Sequence, residues 1–169
     1  MVAAWPEPVE RVSSFLRDAG ADARIEEFSE GTPTAADAAA AVGCGLDQIV
    51  KSLVLVCDGR PVVALVPGDR RGDIAKVARA AGTASARVAK AEEVEQATGF
   101  APGAVAPFPL PGVATVLMER TLLRHPLVWA GAGSPKHMVG LAPLELARLA
   151  RARPLDVVKD YDSTESKER

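Results

Sequence analysis

The side chains in this sequence that could do chemistry fall in three places. Lys51 stands near the head of an apolar run, Ile49 to Val56, in "DQIVKSLVLVCDG". An ammonium group there can hold an anion or polarise a carbonyl, and it can equally be an edge-strand charge that blocks aggregation. Gly99, Gly103, Ala104 and Pro107 belong to "TGFAPGAVAPF". Glycines in such a loop let a ligand come close to backbone N–H groups, and the same composition also suits a plain surface connection. A second glycine-rich turn, "GAGSPKH", carries Gly131, Gly133, Ser134 and His137. His137 reads equally as a functional or a structural histidine. His125, before Pro126, reads as a turn residue.

Other chemistries lack their motifs. Cys44 and Cys57 form no CxxC and have only two histidines to join them, so no closed zinc site is expected. Cys57, inside a strand-like run, reads as a small buried hydrophobe. "GAGSPK" lacks the Walker spacing, "GCGLDQ" is not GxGxxG, and GxSxG and HExxH are absent. Ser134 has no histidine base evident from sequence order. No metal and no cofactor are expected. A net charge of -2 and 4% aromatic residues give no overall basic field and few stacking platforms, so DNA is not an expected partner. A local basic patch leaves RNA open; Arg70, Arg71 and Lys76 could form one, though they read first as a solvated helix start. No apolar stretch approaches the roughly 20 residues of a membrane span, and no charged leader precedes an apolar core. The expectation is a cytoplasmic protein without a membrane partner.

The elements that must position these residues are short. Val9, Val12, Leu16 and Ala19 repeat at helical spacing in "PEPVERVSSFLRDAG". "ARIEEFS" predicts a strand. "TAADAAAAVG" predicts a helix capped by Thr34 and stopped by Gly43. Asp58-Gly59 joins two runs that are apolar on both faces, which predicts a hairpin central in its sheet. Helices follow at "GDIAKVARAAG" and "AEEVEQATG", with "ARVAK" a short strand between them. Residues 100–112 are too rich in Pro and Gly for a helix or an interior strand. "VATVLMER" and "HPLVWAGAG" each contain a strand, "KHMVGLA" is expected to be the last one, and "PLELARLA" is a helix opened by Pro143. Short strands mixed with helices, without regular βαβ alternation, predict one α+β domain over residues 1–153. The polar residues 154–169 are expected to be a charged, flexible tail.

The lysine-headed strand, "DIAKVARAAG", the 99–107 loop and "WAGAGSPKHMVGLAPLEL" occur in an order that resembles the YbaK-like, prolyl-tRNA-synthetase-associated editing family, the aminoacyl-tRNA deacylases. The resemblance covers about residues 5–153. It implies a mixed, barrel-like sheet flanked by helices. It also implies metal-independent hydrolysis of the ester on mischarged tRNA, by water or a ribose hydroxyl and without a covalent intermediate. Cysteinyl- or alanyl-tRNA for proline, or a related small amino acid, would be the substrate, and a synthetase such as prolyl-tRNA synthetase a partner. By the same resemblance Lys51 and Gly103 are catalytic. Gly99, Ala104, Pro107, Gly131, Gly133, Ser134 and His137 bind the acceptor end. The sequence departs from the family pattern at Ala104 and Ala106, where a second glycine and a serine are usual, and this bears on substrate identity. The alternative on the same fold is a non-catalytic module that binds a tRNA end, a nucleotide or a synthetase.

Overall fold

The structure, a computed structural model, describes residues 5–160. Along the chain, α1 (Glu7–Asp18) leads to β1 (Ala23–Glu27), α2 (Ala35–Val42), the hairpin β2 (Ile49–Cys57) and β3 (Arg60–Pro67), and α3 (Ile74–Ala81). β4 (Ala86–Val88), α4 (Ala91–Thr98), β5 (Thr115–Glu119), β6 (Val128–Ser134), β7 (His137–Leu141), α5 (Pro143–Ala150) and β8 (Ala152–Leu155) complete it.

The helices end where their sequences provide caps. The Thr34 hydroxyl accepts the Asp37 N–H at 3.1 Å to open α2, and the Asp73 carboxylate accepts the Lys76 N–H at 3.0 Å to open α3. Val9, Val12 and Leu16 form the buried stripe of α1. Burying such side chains contributes about 1.5–3 kcal/mol each.

The sheet runs β1-β7-β6-β2-β3-β5-β8, with β4 also beside β2. It is mixed: β2 is antiparallel to β3 and β4 and parallel to β6, while β3–β5 and β5–β8 are parallel. The hairpin is central, as its two apolar faces require. Val50, Val54, Val63 and Leu65 face the main core, which α1, α5 and the 100–112 segment close. Leu55, Cys57, Val62, Ala64 and Val66 face a second core under α3. Burial pushes the Cys57 thiol pKa up, in keeping with its reading as a hydrophobe. The strand order is an open path whose outer members, β1 and β8, do not pair with each other, so the sheet is not a closed barrel.

The C-terminal end corrects the sequence reading twice. β7 is not the last strand, because β8 adds in parallel to β5, from Val116↔Ala152 to Glu119↔Leu155. A boundary at 153 therefore cuts through a strand. Pro154 and Leu155 fall in the expected tail because a proline fits no interior strand; at an edge, proline and charge are tolerated. Val157 and Val158 are buried in the second core beyond it. The remainder of the expected tail, residues 161–169, lies outside the described residues.

Lys76 pins this strap to α3. Its Nζ donates to Asp156 Oδ2 at 3.0 Å, Asp160 Oδ1 at 2.9 Å and the Val158 carbonyl at 2.7 Å. It is thus an internal tether and not part of a basic RNA patch. The ammonium holds the Asp156 carboxyl below its ordinary value, and hydrogen bonds to Asp160 and then Asp156 raise Lys76 above its own. A depressed carboxyl stabilises the fold above its unfolded value, and that contribution is lost as pH falls through the folded one. A raised lysine contributes below its unfolded value, and that is lost as pH rises through the folded one. The strap is thus tightest between about pH 5 and 10 and loosens at either extreme. Hydrogen exchange should show Lys76→Met, or wild type near pH 3, speeding exchange at Val157 and Val158 before the amides of β2 and β3 respond.

Candidate active site

The edge of β2 opposite β3 is shared by two strands that do not meet. β6 pairs with it only at Ile49↔Trp129 and Val50↔Ala130, and β4 only from Leu55 to Cys57. Residues 51–54 have no strand neighbour on that edge among the described residues; the Val54 carbonyl is taken by the Ala89 N–H at 3.0 Å. β6 departs because its register with β7 slips between Gly131 and Ser134. The gap is a cleft of about 360 Å³, lined by Lys51, Ser52, Gly103, Val105, Gly131, Ser134 and His137, and also by Thr32, Thr34, Ala38, Ile49 and Met138.

Lys51 shares a face with Ile49 and Leu55, and it sits between the patches those two bury. Its side chain is exposed at the mouth of the cleft rather than partly buried, because the strand that would cover it has turned away. Lys51 Nζ donates to the Arg70 carbonyl at 3.4 Å. That carbonyl belongs to a turn held by the C-terminal strap. Asp73 N–H donates to Val157 O, Lys159 N–H to Arg71 O (both 2.8 Å) and Arg70 Nη2 to Lys159 O (2.6 Å).

The 99–112 segment is not a loose connection. Phe100, Ala106 and Phe108 are core residues, and the buried Thr98 hydroxyl donates to Val94 O at 2.7 Å while accepting the Phe100 N–H at 3.1 Å. Ala101–Ala104 form a tight turn, Ala104 N–H to Ala101 O at 3.0 Å, with Pro102 second and Gly103 third at φ +81. That positive φ is the reason for a glycine there. The turn presents Gly103 to the cleft and leaves Ala104 buried behind it.

Across the cleft, β1, β7 and β6 put Glu27, His137 and Ser134 in one row, through the pairs Glu27↔His137 and Ser134↔His137. Ser134 Oγ lies 2.5 Å from His137 Nδ1 and accepts the Lys136 N–H at 3.0 Å. His137 is 4% exposed, and its Nε2 faces Glu27 Oε2 at 3.5 Å. Sequence reasoning missed Glu27 and the Ser134–His137 pair. Glu27 lies over a hundred residues away, and only the strand register brings it opposite His137.

The cleft thus gathers Lys51, Gly103, Gly131, Ser134 and His137. Four other expected site residues lie outside it. Gly99 ends α4 and its carbonyl accepts Arg11 Nη2 at 2.8 Å. Ala104 is buried. Pro107 lines a separate groove of about 620 Å³ with Phe15 and Phe108, whose lining does not include Lys51. Gly133, at φ +102, packs where a Cβ would lie 2.9 Å from the Pro8 carbonyl carbon and oxygen.

Residues 29–149 match the aminoacyl-tRNA editing domain. The chain belongs to that family. It is similar to the uncharacterised protein YwhH of Bacillus subtilis (strain 168), 31% identical over 140 residues, covering 82% of this chain and 88% of that one. It is 37% identical over 102 residues to the proline–tRNA ligase of Nitratidesulfovibrio vulgaris (strain DP4), covering 60% of this chain but only 18% of the ligase. Among solved structures, a candidate trans-editing enzyme for prolyl-tRNA synthetase superposes with a TM-score of 0.86 at 35% identity, covering 93% of this chain and all of that one. The mixed eight-stranded sheet is the fold expected of an editing-domain chain.

Two glycines share a positive φ but differ in their surroundings. Gly133→Ala meets Pro8 backbone and should cost about 1–3 kcal/mol, lowering the melting temperature by several degrees. Gly103→Ala meets nothing within 4 Å. It should cost about 1–2 kcal/mol from the positive φ alone, readable in the same thermal melts.

Proposed function

We propose that the chain is a trans-acting aminoacyl-tRNA deacylase. It would hydrolyse the ester of a mischarged tRNA, with cysteinyl- or alanyl-tRNA for proline, or a related small amino acid, as substrate. The observation that carries this reading is the meeting of Lys51, Gly103 and Gly131 on one cleft in an editing-domain chain. The structural likeness to a candidate trans-editing enzyme supports action in trans and a link to prolyl-tRNA synthetase.

An aminoacyl ester is already activated, so its hydrolysis needs positioning and a place for the developing oxyanion more than a strong nucleophile. Lys51 supplies the positive charge at the cleft mouth, suited to the terminal phosphate, ribose or ester carbonyl. The turn carrying Gly103 offers backbone to the substrate without side-chain obstruction. The reaction is read as metal-independent on the same grounds. A cleft of about 360 Å³ is at the small end of ligand sites, and its lining sets apolar side chains, Ala38, Ile49 and Met138, beside polar ones. Such a pocket sorts side chains by size, about 10- to 200-fold per methylene. With a net charge of -2 the protein has little electrostatic grip on tRNA, which suits delivery by a synthetase in the cytoplasm.

The test is release of amino acid from tRNAs charged with alanine, cysteine, serine, threonine and proline, with and without the synthetase. One small mischarged amino acid should be released and the cognate pair spared. Lys51→Ala should reduce the rate about 100-fold and leave stability within about 0.5 kcal/mol. No release from any of the five would sink the hydrolase reading, and tight tRNA binding without turnover would make the chain a binding module.

A further inference from the structure

Ser134 and His137, hydrogen-bonded to each other, line the cleft, with Glu27 beside His137, and the roles given to Lys51 and Gly103 do not use them. His137 Nε2 is buried and has no hydrogen-bond partner among the described residues; the Glu27 carboxylate, 55% exposed, stands 3.5 Å from it. A bare lone pair on that nitrogen would face a carboxylate across a desolvated gap, which is repulsive. An N–H there is attracted to the carboxylate, which is free to close the last few tenths of an ångström. Glu27 thus favours the Nε2–H tautomer. Nδ1 then holds the lone pair, and only the Ser134 hydroxyl, 2.5 Å away, can donate to it. The Lys136 N–H takes one Ser134 lone pair from the backbone side. The second remains available to the cleft, which Ser134 lines. Trp5 closes on the imidazole edge-to-face at 5.5 Å and restrains the ring.

We propose that Ser134 is a catalytic residue of the deacylation, a proton relay made basic by His137, and that Glu27 is the residue that positions His137. The proposal rests on the deacylase reading. A water oxygen bonds to the ester carbonyl carbon. One water proton passes to Ser134 Oγ as the serine's own proton passes to Nδ1, leaving an imidazolium opposite Glu27. When the tetrahedral adduct breaks its bond to the ribose oxygen, the proton returns by the same path to that oxygen. One water is consumed, and the free amino acid and the free tRNA end leave.

The chain has only two histidines, so the tautomer can be read directly. Long-range proton–nitrogen NMR on protein labelled in its histidines, with His125→Gln to assign the signals, should show neutral His137 protonated at Nε2. Glu27→Gln should mix the tautomers and lower kcat about tenfold with KM little changed. Ser134→Ala should keep the Nε2–H tautomer and lower kcat about 100-fold or more. An Nδ1–H tautomer in wild type, or full kcat in Ser134→Ala, overturns the relay while the deacylase reading stands. A wild-type protein that releases no amino acid overturns the deacylase reading and the catalytic step with it, whatever the tautomer.

Discussion

Backbone N–H and C=O groups in the middle of a sheet need partners on both edges, and β2 receives them continuously on one edge only. β3 pairs with it from Val50 to Cys57, while β6 and β4 cover the two ends of the opposite edge. In the interval between them this central strand meets a cleft instead of a neighbour among the described residues. The slip at Gly131–Ser134 steers β6 away, and the anchored turn at Ala101–Ala104 comes up to the opening. Lys51 lies in the interval, so its exposure follows from the pairing pattern.

The surrounding elements keep that opening from collapsing. Phe100, Ala106 and Phe108 fix the 99–112 segment in the main core, which makes Gly103 a rigid rim. Gly133 lets β6 pass against Pro8 at the start of α1. On the outer side, the Lys76 tether holds the C-terminal strap, the strap holds the 70–73 turn, and that turn gives Lys51 its carbonyl partner. A residue on α3 thereby bears on the position of a side chain on β2.

Much of this was legible in the sequence, for reasons that can be named. The hairpin at Asp58-Gly59, the Thr34 cap and the stripe of α1 are local patterns, and local patterns determine elements. Lys51 announced itself as a charge where alternation called for an apolar residue. Other features depend on long-range register and were hidden. The second half of β8 reads as the start of a tail because an edge strand tolerates Pro154. Glu27 is one acidic residue among several until β1 pairs with β7. Gly99 and Gly133 look like ligand-binding glycines, yet one caps a helix and the other relieves a backbone contact, and composition alone does not separate those uses. Ala104 looked like a change in the pocket, but the turn that exposes Gly103 buries it.

The central claim is that the β2 gap receives the aminoacylated end of tRNA. A stable amide analogue of an alanyl- or cysteinyl-adenosine, titrated into nitrogen-labelled protein, tests it directly. The account predicts saturable shifts at the amides of Lys51, Gly103, Gly131 and Ser134, with little change at Pro107's neighbours in the separate groove. Shifts confined to that groove, with none along the 51–54 interval, would contradict it.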